Sequence, residues 1–168
     1  MKKTLTILLI LFTISTLWWA SARIIKGYEF SINCTGHLKR AADANTVELA
    51  SKELDTAIKY LESKELTAGT VSIFLKQPKN DIGFWYENLV ASRQELINLK
   101  PDSGQLEKTN VLMKLRETLV DSGEDTSVTY PNGISIYPYN RMFCLWGIIS
   151  LLGFCIMGLW TAYEIDQW

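Results

Sequence analysis

Cys34 and His37 stand three residues apart, the Cys-x-x-His spacing that metal sites use. A zinc site needs three or four protein ligands, and the chain supplies few: His37 is its single histidine, and Cys144 and Cys155 lie in an apolar stretch near the C-terminus. The pair therefore reads as a packed cysteine beside a surface histidine. Three cysteines so separated give no intrachain disulfide. Asn33-Cys34-Thr35 fits the short glycosylation pattern, which matters only where the compartment glycosylates. Asp43, Asn45, Thr46 and Glu48 bring together several polar groups that a ligand site could use, and Asp43, Glu48 or Asp81 are the residues from which carboxylate chemistry would be built; the competing reading is a solvated helix face. Phe84-Trp85-Tyr86 concentrates more aromatic surface than a small core requires, so one or two rings anchor the core and the third meets a partner, the bilayer surface or a ligand groove. No Ser-His-Asp set and no glycine-rich phosphate loop can be assembled. The expectation is a chain without catalytic, cofactor or metal residues, whose candidate partner or ligand surface comprises Phe84, Trp85, Tyr86, Asp43 and Asn45.

The elements that position these residues read as helices. From Gly36 to about Leu66 the pattern is one long amphipathic helix, with Val47, Ala50, Leu54, Ala57 or Ile58, and Leu61 on one face and Lys39, Arg40, Glu48, Lys52, Glu53, Lys59 and Glu62 largely elsewhere. Thr70 to Leu75 has β-branched and aromatic character too short for a helix, and suits a strand or an extended crossing. A second helix starts near Asn80 or Asp81 and runs to Leu99, carrying Ile82, Trp85, Leu89, Leu96 and Leu99 on one face, and Pro101 stops it. Asp102 with Gln105 forms a capping box for a third, continuing to about Val120 with Leu106, Leu112, Leu115 and Leu119 as its apolar contacts. Ser122-Gly123 breaks that helix. Ser127 to Tyr130 and Ile134 to Tyr137 then alternate around Pro131-Asn132-Gly133, a hairpin signal over residues 127–137.

Both ends are uncharged. Thr4 to Ala22 is a run of nineteen residues without a charge, mostly apolar, after Lys2 and Lys3, long enough to span a bilayer. It fits a retained anchor, on the evidence of Trp18, Trp19, Arg23 and Lys26 at its outer edge, or a cleaved signal ending at Ala20-Ser21-Ala22. Met142 to Tyr163 is twenty-two residues between Arg141 and Glu164 and reads as a transmembrane helix, with Trp146, Trp160 and Tyr163 in interfacial positions. Gly147, Ser150, Gly158 and Ala162 are the small residues through which it would pack on the first segment or on a second copy of itself. Neither segment contains a charge, which argues against an ion pathway built by this chain alone. The fold expected is mainly α: two terminal transmembrane helices flank a small three-helix domain with a short β-hairpin. In residues, a tail 1–3 precedes the segment 4–22, a join spans 23–35, the domain 36–141, the second segment 142–163 and the last tail 164–168. Tails so short hold no output or catalytic domain.

With 17 basic and 18 acidic residues and a net charge of −1, the chain has no broad basic footprint, and nucleic acid is not an expected partner. The run Gly36-His37-Leu38-Lys39-Arg40-Ala41-Ala42-Asp43-Ala44-Asn45-Thr46, with Asp81-Ile82-Gly83-Phe84-Trp85-Tyr86 and Asn110-Val111-Leu112-Met113-Lys114-Leu115-Arg116-Glu117, resembles small bacterial membrane-anchored helical proteins, a group that implies no activity. Lys2 and Lys3 favour a cytoplasmic N-terminus and a central domain in the periplasm or outside. The function expected is that of a non-enzymatic interaction or accessory protein at the bacterial inner membrane. Its partners would be the bilayer and a membrane or periplasmic protein, with homo-oligomers through the C-terminal helix. The alternative is a ligand-binding sensor that signals through a separate membrane partner.

Overall fold

The computed structural model describes residues 2–100, 102–121 and 127–166. It is mainly helical, and no sheet forms among the described residues. Helix α1 (Lys2–Phe30) does not end at the expected join. It passes through a π-helical turn, Ser31–Thr35, into α2 (Gly36–Ala42), so Gly27 to Thr35 is helical throughout. The Gly36 N–H donates to the Ser31 carbonyl, and a Cβ at Gly36 would lie 3.0 Å from that oxygen. Glycine therefore lets the π turn close. One inserted residue shifts the phase of a helix face by about 100°. Cys34 within the turn and Leu38, Ala41 and Ala42 beyond it are buried in the core, whereas much of α1 below it is exposed.

The expected helix over Gly36 to Leu66 is two helices. The chain leaves α2 at Ala42 and re-enters at α3 (Val47–Ser63), where the Thr46 hydroxyl caps the new N-terminus by accepting from Leu49 N–H at 3.3 Å. The apolar face of α3 is the expected one: Ala50, Leu54, Ala57, Ile58 and Leu61 are all buried. Its C-terminus closes with Leu66 N–H on the Leu61 carbonyl, 2.8 Å, and Glu65 N–H on the Glu62 carbonyl, 3.1 Å, the paired bonds of a Schellman end. Glu65 occupies the left-handed position at φ 57°.

Helix α4 (Ile82–Asn98) begins as expected at Asp81, whose Oδ1 accepts from Phe84 N–H at 3.1 Å. Pro101, its expected stop, lies outside the described residues. Helix α5 (Gln105–Leu119) starts from Gly104 without a side-chain cap, so the Asp102/Gln105 box does not form, and Leu106 is exposed while Leu115 and Leu119 are buried. The Ser122-Gly123 break also falls outside the described residues. Helices α2 and α3, α3 and α4, α4 and α5, and α5 and α2 pack in turn, so the top of the long N-terminal helix makes a fourth member of the expected three-helix domain.

Neither Thr70 to Leu75 nor the expected hairpin over residues 127–137 forms a strand. Thr70 makes a single bridge, to Asp81, which ties off its own loop with Val71 N–H on the Asn80 carbonyl and Ile82 N–H on the Gly69 carbonyl, leaving Phe74 and Leu75 exposed. Around Asn132-Gly133 the turn forms, with Gly133 left-handed at φ 92°, but the chain continues as a 3-10 turn, Ile134–Ile136, instead of a return strand. Ile134 and Ile136 are buried, and the Asn140 amide donates to the Gly133 carbonyl at 2.8 Å. Alternating burial thus reports a 3-10 turn here. Val128 bridges Val120 instead, in the segment leaving α5.

Helix α6 (Asn140–Asp166) packs antiparallel on α1. Phe12 lies against Gly153, Trp19 against Gly147, and Ser15 Oγ is 2.7 Å from Ser150 Oγ, with Trp146 Nε1 donating to Ser15 at 3.0 Å. Trp19 Nε1 donates to the Phe143 carbonyl at 2.8 Å. Both helices are long and apolar enough to cross a membrane. The continuous rod from Lys2 to Ala42 is about 60 Å long at 1.5 Å per residue, roughly twice a hydrocarbon core, so its upper part is free to build the domain.

Candidate functional site

Above the α1/α6 pair the domain encloses a cavity of about 1190 Å³, larger than most small-molecule sites. Three elements shape it. The loop tied off at Thr70 and Asp81 supplies Val71 to Asn80, α4 supplies Phe84, Trp85 and Leu89, and the segment Thr129 to Gly133 closes the far side. Trp85 is fixed by an Nε1 hydrogen bond to the Thr129 carbonyl, 2.9 Å, which links α4 to that segment. Phe84, Phe74 and Leu75 are left 66%, 84% and 77% exposed at the opening.

The cavity's lower end is polar. Arg23, the first residue beyond the apolar run of α1, lines it, as does Asn140, the first residue of α6. Asn140 is only 6% exposed; its amide nitrogen is satisfied by Gly133, and its Oδ1 is buried without a hydrogen-bond partner. A buried acceptor left open costs about 1–3 kcal/mol, so a donor at that position would be favoured. Lys79 and Asp81 also line the cavity, Asp81 being engaged as the α4 cap. Arg23 and Lys79 form no ion pair among the described residues, which leaves the cavity with unspent positive charge.

The residues singled out in the sequence divide. Phe84 and Trp85 line this cavity, but Tyr86 turns to α3, where its hydroxyl donates to Glu62 Oε1 at 2.8 Å; burial and that carboxylate raise its pKa. Asp43 and Asn45 line a separate depression of about 520 Å³ between the α2–α3 turn and α5, where Asp43 faces Lys39 at 3.6 Å and Arg116 at 3.8 Å. Of the small residues on α6, Gly147 and Ser150 meet α1, whereas nothing lies near Gly158 and Ala162 is exposed.

Cys34 is fully buried, and His37 is half-buried with Nδ1 2.7 Å from Glu53 Oε2. Arg40 holds the other oxygen of Glu53 at 2.7 Å. Glu53, assigned by periodicity to the polar side of its helix, is 7% exposed, and both its oxygens are engaged in joining α2 to α3. Among the described residues no three His, Cys, Asp or Glu side chains gather where they could hold a metal ion. On α3, Lys59 first and then Arg93 hold the Asp55 carboxyl below the usual range, and burial pushes Tyr60 up to about 12. Arg23 and Asn140 were missed because each reads as a mere flank of an apolar segment.

Comparison with known protein families, curated proteins and solved structures finds no match. The class defined by fold and site is therefore a helical one: a four-helix domain with a cavity of about 1190 Å³ where it joins two long apolar helices.

Proposed function

We propose that the chain is a membrane-anchored, non-enzymatic interaction protein of the bacterial envelope, which binds through its extracytoplasmic helical domain. The observation that carries the binding role is the group of exposed apolar side chains, Phe74, Leu75 and Phe84, around a cavity. Contiguous exposed apolar surface on a folded domain marks an interaction site. The antiparallel pair of apolar helices supports anchoring, and the small residues packed between them suit association inside lipid. Lys2 and Lys3 support the orientation.

The test is affinity capture of the detergent-solubilised chain with mass spectrometry, beside a Phe84→Ala variant. A protein partner recovered reproducibly with the wild type and lost with Phe84→Ala supports the reading; equal recovery from both removes the cavity opening as the surface. A second reading, a ligand-binding module that signals through another membrane protein, is favoured by the volume of the cavity. A small molecule that co-purifies without any protein partner would favour this second reading.

A further inference from the structure

The position of the cavity narrows its ligand. Trp19 Nε1 bonds the Phe143 carbonyl, and Arg23 lies one helical turn above Trp19, just as Asn140 lies one turn before Phe143. Arg23 and Asn140 are therefore at about one level, roughly 5 Å beyond the Trp19–Phe143 contact. With the pair in a bilayer, that level is the headgroup layer. Both residues line the cavity, as do Leu89 and Trp85 of the domain, and its lining residues Phe74 and Phe84 are exposed.

We infer that this cavity takes one acyl chain of an anionic phospholipid from the adjoining leaflet, with the headgroup phosphate seated on Arg23. This rests on the ligand-binding reading above. Two features select that occupant. The apolar side chains among those that line it, Val71, Ile73, Leu89 and Ile136, match an acyl chain, which gains about 0.8 kcal/mol for each CH₂ it keeps from water. The free guanidinium of Arg23 matches a phosphate, which it binds through two parallel hydrogen bonds. A choline headgroup offers the phosphate but no net negative charge. Lys79 adds to the attraction for an anionic lipid, and the one carboxylate lining the site, Asp81, is turned to the start of α4.

The experiment uses the full chain in nanodiscs of phosphatidylcholine containing a tenth of phosphatidylglycerol that carries a photoreactive group in one acyl chain. Three proteins are compared: wild type, Arg23→Gln, and Asn88→Trp, which places an indole on the cavity wall. Helical content and melting temperature of each are checked first. Label is expected on the peptides spanning Val71 to Leu89 in the wild type, at least tenfold lower in Asn88→Trp and several-fold lower in Arg23→Gln. It should also be several-fold lower when the probe is a phosphatidylcholine. Label confined to α1 and α6, or label on Val71 to Leu89 that is unchanged in a folded Asn88→Trp protein, would overturn the proposal. Equal labelling by both lipids would overturn the headgroup assignment. A non-lipid compound that co-purifies with the wild type and is lost from Asn88→Trp overturns the lipid and keeps the ligand-binding reading. If neither lipid nor compound distinguishes the folded variants, both fail.

Discussion

Gly147→Ala puts a methyl group where the Trp19 ring sits. A Cβ on Gly147 would lie 2.7 Å from both Trp19 Cε2 and Cζ2, closer than carbon atoms approach, so the indole must move. Its Nε1 is committed to the Phe143 carbonyl, and moving the ring breaks that bond. Overpacking costs roughly 1–3 kcal/mol, and the lost hydrogen bond costs about 1 kcal/mol in a membrane setting. Alanine's helix preference over glycine returns about 1 kcal/mol, leaving a net destabilisation of roughly 1–3 kcal/mol. Gly158→Ala is the internal control, since nothing lies near a Cβ there and only the helix-preference gain remains. Both variants are unfolded reversibly by titrating dodecyl sulfate into mild detergent, following tryptophan fluorescence at a protein concentration low enough to keep the chain monomeric. The expected midpoints fall for Gly147→Ala and stay level or rise for Gly158→Ala. Equal behaviour of the two, or a Gly147→Ala protein more stable than wild type, would refute the packing of α1 on α6.

The remaining predictions concern the domain. Glu65→Gly relieves a left-handed residue at the α3 terminus and should raise stability by about 1 kcal/mol in thermal unfolding, whereas Gly69→Ala, at φ 102° and with its Cβ inside the Tyr137 hydroxyl, should lower it by more than that. Glu53→Ala leaves His37 and Arg40 without their shared carboxylate at the α2–α3 contact, and, because the Arg40 left behind is solvated, a loss of about 1–2 kcal/mol is expected by the same assay. Asp55 is held in its charged form by Lys59 and Arg93, so its contribution is complete above the ordinary carboxylate range near about 4 and is lost as pH falls through the lower folded value. Asp55→Asn should therefore flatten the acid limb of the stability profile and leave its shape near neutrality unchanged.

The parts of the fold that a period of 3.6 encodes were legible. The α3 face of Ala50, Leu54, Ile58 and Leu61 and the Asp81 cap of α4 stand where spacing and side-chain chemistry put them. What was misread depended on competition between local signals. Ala41 and Ala42 continue the apolar pattern into α3, so the Thr46 cap that divides two helices was passed over, although a threonine before a new apolar run is a start signal. Ile134 and Ile136 alternate like a strand, yet a 3-10 turn buries both as well. The π turn at Ser31–Thr35 leaves no readable mark beyond Gly36. Half the site was visible as Phe84 and Trp85; Arg23 and Asn140 join it only through the pairing of helices far apart in sequence.

The central claim, that α1 and α6 cross a bilayer as an antiparallel pair carrying the domain on one side, is tested most directly by labelling cells with a membrane-impermeant maleimide. Single cysteines at Lys3, Glu87 and Glu164 are introduced into a chain whose own three cysteines are replaced, and the intact mass is measured alongside. Labelling of Glu87→Cys in intact cells, with Lys3→Cys and Glu164→Cys reacting only after lysis and residues 1–22 present in the mass, is the predicted result. Termini that react on opposite sides, or a mature chain that begins near Arg23, would contradict it.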